Sequence, residues 1–163
     1  MKKIMLKGIF FTSAFLILIS CNPKKDETSA TSIDIEKIKK EIQERENEFA
    51  SLYNSRQLKN IGYYADDAVV FSENHTPLIG KSAIIEYIEA NMESTAKGNT
   101  ISFHTNDVFV SNDGNQVVEI GFFNLVDSNS VSINSGNYMV VFEKRNDKYV
   151  SVREMSTSDS STE

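Results

Sequence analysis

The chain has 163 residues, with 17 basic and 23 acidic side chains, a net charge of −6, one cysteine and no tryptophan. An acidic balance of this kind repels phosphate backbones and excludes nucleic acid as a partner, and a lone cysteine excludes an intrachain disulfide. The length suits a single domain.

The chain opens "MKKIMLKGIFFTSAFLILISC". Lys2, Lys3 and Lys7 make a positive n-region, and the apolar run from Gly8 to Ile19 has the length of a signal-peptide h-region. It falls short of the roughly 20 residues that a spanning helix needs. Leu18-Ile19-Ser20-Cys21 resembles a bacterial lipobox, in which the cysteine after the cleavage site is lipidated, and Cys21 is the sole cysteine. Residues 1–20 are therefore expected to be a lipoprotein signal peptide and Cys21 to carry diacylglycerol, with a further acyl chain such as palmitate on its amine. More than one hydrocarbon chain, at about 0.8 kcal/mol per buried methylene, makes a stable anchor. Loss of the leader, with its three lysines and no acid, moves the net charge from −6 to −9, which argues against a polybasic contribution to membrane binding. The domain is expected outside the cytoplasm in the cell envelope, on the outer membrane in a Gram-negative cell.

Residues 21–32, "CNPKKDETSATS", are polar and lack periodicity, as a tether does. In "IDIEKIKKEIQERENEFASLYN", Ile35, Ile38, Ile42, Phe49 and Leu52 form one helical stripe that is interrupted at Arg45, with Thr31 or Ser32 as the expected cap. The stretch "YYADDAVVF" then offers a turn built on Asp66 and Asp67, whose side-chain oxygens can satisfy backbone donors, followed by a strand. A second helix is expected in "KSAIIEYIEANMES", with Ile84, Ile85, Ile88 and Met92 on one side. Everything after Thr100 reads as strand, and Asn112-Asp113-Gly114 and Asn146-Asp147 mark hairpin turns. Helices followed by long antiparallel strands define an α+β domain over residues 33–156, with a disordered tail expected at 157–163.

This order of elements, with "YYADDAVVF", the "PLIGKSAI" lead-in to the second helix and the closing "DKYV", is similar to the nuclear transport factor 2-like superfamily, nearest to its SnoaL-like and ketosteroid-isomerase-like domains. The resemblance implies a cone-shaped, strongly curved antiparallel sheet with the N-terminal helices on its concave face and an apolar pocket inside. Members include isomerases, cyclases and dehydratases, so fold alone leaves the activity open. Set against the isomerase pattern, the base position falls at Ser72, the first-helix donor at Phe49 and the later-strand acid near Tyr138. Only Tyr138 keeps a hydrogen-bonding group suited to its role, so no standard catalytic set is expected.

The pocket-lining candidates are Tyr53, Tyr64, Phe71, Phe103, Phe123 and Tyr138, joined by Glu119 and Arg153. Glu119 interrupts "VVEIGFF", and Arg153 lies in phase with Tyr149 and Ser151; both are costly to bury unless paired or facing a polar ligand. Alternation leaves the direction of both open, since both phases of these strands are apolar. His75 and His104 read as solvated, and without H-x-H, HExxH or a cysteine pair no metal or other cofactor is expected. Two classes of function remain: a membrane-tethered domain that binds a small, largely apolar ligand or an envelope protein, itself included through the sheet face, and a small-molecule isomerase or lyase with a non-standard acid/base set.

The anchor has a direct test: cells expressing the chain with Cys21→Ala should fail to incorporate radiolabelled fatty acid into it, and undiminished labelling would remove the anchor.

Overall fold

The computed structural model describes residues 33–94 and 96–159; the leader, Cys21 and the tether lie outside these. Helix α1 (Ile35–Asn54) starts at Asp34, whose Oδ1 accepts the Lys37 backbone N–H at 3.0 Å. The cap is thus Asp34 rather than Thr31 or Ser32, and a carboxylate there also favours the positive end of the helix dipole. After a 3₁₀ turn at Leu58–Asn60 come β1 (Tyr64–Phe71), β2 (Leu78–Ile79), α2 (Lys81–Ser94), β3 (Thr100–Val110), β4 (Gln116–Val126), β5 (Ser132–Arg145) and β6 (Lys148–Ser158). Strand β6 continues two residues past the expected boundary at Ser156, held by Ser158 Oγ donating to Asn134 Oδ1 at 2.8 Å.

The six strands form one curved, unclosed sheet in the order β2-β1-β6-β5-β4-β3. The sheet is antiparallel as expected, except that β1 and β6 run parallel. A parallel pair needs a long connection, and α2 with β3 to β5 supplies it. Tyr64 to Asp67 belong to β1 itself and not to a turn before it; the β1–β6 register breaks between Tyr64 and Val69, and Asp66 and Asp67 are both left exposed there. Arg145 holds both carboxylate oxygens of Asp67, at 2.5 and 3.2 Å, and also reaches Glu143.

Two glycines allow the sheet to curl. Gly121 faces Tyr138 and Gly136 faces Phe123 across the β4–β5 ladder. A Cβ on Gly121 would stand 2.3 Å from the Tyr138 hydroxyl, and one on Gly136 would stand 1.9 Å from the Thr157 carbonyl oxygen and 2.7 Å from the Phe123 ring. Each aromatic ring folds down over the glycine opposite it, a device that permits strong bending while covering the bare backbone.

Strand β3 is an edge, and α1 covers it. Asn54 exchanges two bonds with the Ile101 backbone, donating to its carbonyl at 2.9 Å and accepting its N–H at 2.8 Å. Gln43 donates to the Phe103 carbonyl and accepts from the Thr105 N–H. These amides stand in for a further strand and remove the pairing hazard of an open edge. The adjoining side of α1 sends Ile42 and Phe49 into a core shared with Leu58, Ile84, Val117, Phe142 and Tyr149. Full burial of such side chains contributes about 1.5–3 kcal/mol each.

Candidate functional site

The concave face of the sheet, α1 and α2 enclose a cavity of about 190 Å³. Phe49 and Tyr53 reach it from α1, Tyr64 and Val70 from β1, Ile84, Tyr87 and Ile88 from α2, Phe103 from β3, Phe123 from β4 and Tyr138 from β5. The rings pack against one another: Phe49 with Phe103 at 5.5 Å, Phe103 with Tyr138 at 5.6 Å and Tyr63 with Tyr64 at 4.9 Å, most of them edge to face, the arrangement ring quadrupoles prefer.

Three carboxyl groups meet in this apolar interior. Glu46 of α1 and Glu154 of β6 line the cavity, and Glu119 of β4 is fully buried behind it. The Tyr63 hydroxyl donates to Glu46 Oε1 at 2.5 Å. Glu119 Oε1 accepts from Thr105 Oγ1 at 2.6 Å and from the Tyr138 hydroxyl at 3.0 Å. Tyr64 hydrogen-bonds Glu154, whose Oε2 is shut off from solvent without a partner.

Burial lifts the Glu46 carboxyl well above the usual range, and the charge of neighbouring Glu119 lifts it further against the bond from Tyr63. Burial also raises Glu119, opposed by its bonds from Thr105 and Tyr138. Two buried carboxyls this close disfavour ionisation of both at once, which holds the pair toward its neutral forms. Glu154 is pushed up to about 7 by burial, against the bond from Tyr64 and with a smaller push from Glu119. Desolvation holds Tyr63, Tyr64 and Tyr138 far above the ordinary phenol range, which keeps them neutral donors. The arrangement offers one carboxyl that gains and loses a proton near neutrality, set in an apolar cavity among fixed phenolic donors.

Of the residues expected at the pocket, Tyr53, Tyr64, Phe103, Phe123 and Tyr138 line the cavity. Glu119 turns inward, but its bonds to Thr105 and Tyr138 place it in the wall. Phe71 and Arg153 are corrections: neither reaches the cavity. Phe71 is 43 % exposed on the other face of the sheet, opposite Met155 of β6, which in turn faces Met139 of β5. Arg153 is exposed and donates to the backbone carbonyls of Val152 and Asp67. The cause is a bulge: Phe142 pairs with Ser151 but Val141 pairs with Arg153, so Val152 is an extra residue in β6. The extra residue shifts the inward phase from Ser151 to Glu154, because side chains alternate with a period of two.

Glu46, Glu154 and Tyr63 were not anticipated. Glu46 fills the gap in the α1 stripe, four residues after Ile42 and three before Phe49, so its phase marks it as inward. Glu154 carries no such mark, because its direction depends on the bulge. The positions matched to the isomerase pattern, Phe49, Ser72 and Tyr138, all line the cavity. His75 lies against the Tyr87 ring at 4.9 Å and His104 against Phe122 at 5.5 Å, both exposed. Asp67 serves as an ion-pair partner of Arg145.

No protein-family model and no curated protein matches the sequence. Solved structures do. A protein of unknown function with a cystatin-like fold from Nostoc punctiforme aligns with a TM-score of 0.64 at 16 % identity, over 76 % of this chain and 92 % of that one. An NTF-2 like protein of unknown function from Shewanella oneidensis aligns with a TM-score of 0.59 at 17 % identity, over 72 % and 96 %. A ketosteroid isomerase-like protein from Erwinia carotovora atroseptica aligns with a TM-score of 0.55 at 12 % identity, over 75 % and 96 %. The chain therefore has the nuclear transport factor 2-like fold, with an acid-bearing cavity at the centre of its cone.

The elevated Glu154 has a sign that stability measurements can read. An unfolded glutamate ionises near 4.5, whereas Glu154 in the fold ionises near 7. Between these values the fold keeps a proton that the unfolded chain has released, so its contribution is fully present below 4.5 and is lost as pH rises through 7. In urea unfolding, Glu154→Gln should gain about 1–2 kcal/mol over the parent near pH 8 and little near pH 5. Parallel stability profiles for the two proteins would contradict this assignment.

Proposed function

We propose that this chain is a lipid-anchored envelope protein whose cone binds a small, largely apolar molecule. One observation carries the reading: a cavity of about 190 Å³, walled by aromatic and aliphatic side chains, with few polar groups converging in it. Such a composition is that of a ligand pocket rather than of a packing defect. An engineered apolar cavity of about 150 Å³ takes a benzene molecule, so the site suits a single ring with a short substituent. Attachment through Cys21 rests on the leader sequence, and the tether would hold the cone clear of the lipid surface. The outer sheet face, with Phe71, Met139 and Met155 exposed, suits pairing with a second copy or another envelope protein.

Native mass spectrometry of the domain, purified from its own host and stripped of lipid, reads ligand and assembly together. The expected species is a protein with a copurified small molecule. A ligand-free monomer at every concentration would count against both the pocket and the pairing.

A second reading has its own support in Glu154, a carboxyl with an unpartnered oxygen on the cavity wall and an ionisation near neutrality. General bases are tuned to that range, so the cone would act as a small-molecule isomerase or lyase by moving a proton at the bound molecule. Phenylacetone in heavy water provides the test: Glu154 takes a proton from the carbon beside the carbonyl, leaving an enolate, and returns a deuteron after exchange with solvent. Deuterium uptake followed by NMR should exceed the buffer rate and fall to it in Glu154→Gln; uptake at the buffer rate with the parent would remove the catalytic reading.

A further inference from the structure

We infer that the cavity is built for a hydrophobic organic cation, specifically a small primary amine bound as its ammonium ion, with the nitrogen at Glu154 and the hydrocarbon body among the rings. This rests on the pocket reading above and names its ligand class. The first observation is a charge imbalance. Glu46, Glu119 and Glu154 converge from three different elements, yet no lysine, arginine or histidine among the described residues lines the cavity. The groups that act electrostatically on these carboxyls are one another and Tyr63, Tyr64, Tyr138 and Thr105, all acids, phenols or hydroxyls. A buried carboxylate is costly unless a cation or enough donors meet it.

The second observation is independent of charge. Glu46 takes the bond of Tyr63, and Glu119 and Glu154 each keep an Oε2 without a partner, but of these two only Glu154 lines the cavity. The Glu154 oxygen is shut off from solvent on a side chain that lines the cavity. An ammonium group supplies both what it lacks in hydrogen bonding, with three donors, and the opposite charge.

The third is the character of the walls. Phe103, Phe123, Tyr53 and Tyr87 present ring surface to the same space, and ring faces attract a desolvated cation. A neutral ketone or alcohol would gain from the rings only through area. It would also leave the proton on Glu154 in place, whereas the cation displaces it.

The reading predicts a pH dependence of definite sign. An alkylammonium keeps its charge up to about 10, so across the neutral range the group that changes is Glu154, faced by Tyr64 from β1, Glu119 from β4 and Glu46 from α1. Binding of the cation favours ionised Glu154, releases a proton and tightens as pH rises.

Calorimetric titration of the domain with phenethylamine, 2-phenylethanol and n-propylbenzene, which share size and shape, separates the possibilities. Phenethylamine is expected to bind at least about tenfold more tightly than either neutral probe, with its affinity rising about tenfold between pH 5.5 and pH 8. Glu154→Gln should abolish both the preference and the pH dependence while still binding n-propylbenzene, which shows that its pocket is intact. Neutral probes binding as tightly as the amine, or amine affinity falling with pH, would overturn the inference and leave the apolar pocket standing. Failure of all three to bind would overturn the inference and the pocket together.

Discussion

Three carboxyl groups brought into one apolar interior impose the main constraint on this molecule. Removing an ionised carboxylate from water costs several kcal/mol even after relaxation, and the cone contains Glu46, Glu119 and Glu154 within a single cavity wall. The structure meets that cost by holding Glu46 and Glu119 toward their neutral forms and by directing neutral hydroxyls at the acids: Tyr63 at Glu46, Thr105 and Tyr138 at Glu119, Tyr64 at Glu154. Adjacent tyrosines thus serve different acids. Both are buried at the start of β1, just before the irregularity that turns Asp66 and Asp67 outward.

The shape of the cone and its polar contents are linked through the same residues. Tyr138 lies over Gly121, a position where a Cβ would collide with its hydroxyl, and from there reaches Glu119. The glycine therefore bends the sheet and leaves space for the donor that stabilises the buried acid. Helix α1 has a comparable double role. Gln43 and Asn54 occupy the open backbone groups of β3, while Glu46, a turn along from Ile42, enters the cavity. Sealing the sheet edge sets the rotation of the helix, and that rotation brings Glu46 to Glu119.

The sequence makes some of this site visible. Glu119 stands out because a charge interrupts "VVEIGFF"; the strand aromatics Tyr64, Phe103, Phe123 and Tyr138 follow from alternation and from the resemblance in element order, and Tyr53 of α1 from that resemblance. Glu46 was legible in principle: the α1 stripe skips from Ile42 to Phe49, and the missing place belongs to Arg45 or Glu46. Arg45 lies to the side, bonding the Gly62 carbonyl and Glu48, and Glu46 takes the interior. Arg153 faces outward and Glu154 inward because of one additional residue at Val152, an irregularity with no compositional sign in "KYVSVREM". Phe71 follows the same rule of alternation and ends on the outer face with Met155.

The sequence by itself determined the kinds of element, their order and the fold they make, because helical stripes, strand alternation and hairpin turns are set by neighbours along the chain. It also carried the expectation of a leader ending at Cys21, which is read from local pattern. The tertiary structure decided which charges lie inside the cone and which of them hold protons. A bulge reverses the faces of every residue beyond it, and the ionisation of a buried acid depends on desolvation and on partners from distant segments. Glu154 draws its environment from Tyr64 and Glu119, residues that only the folded sheet places beside it.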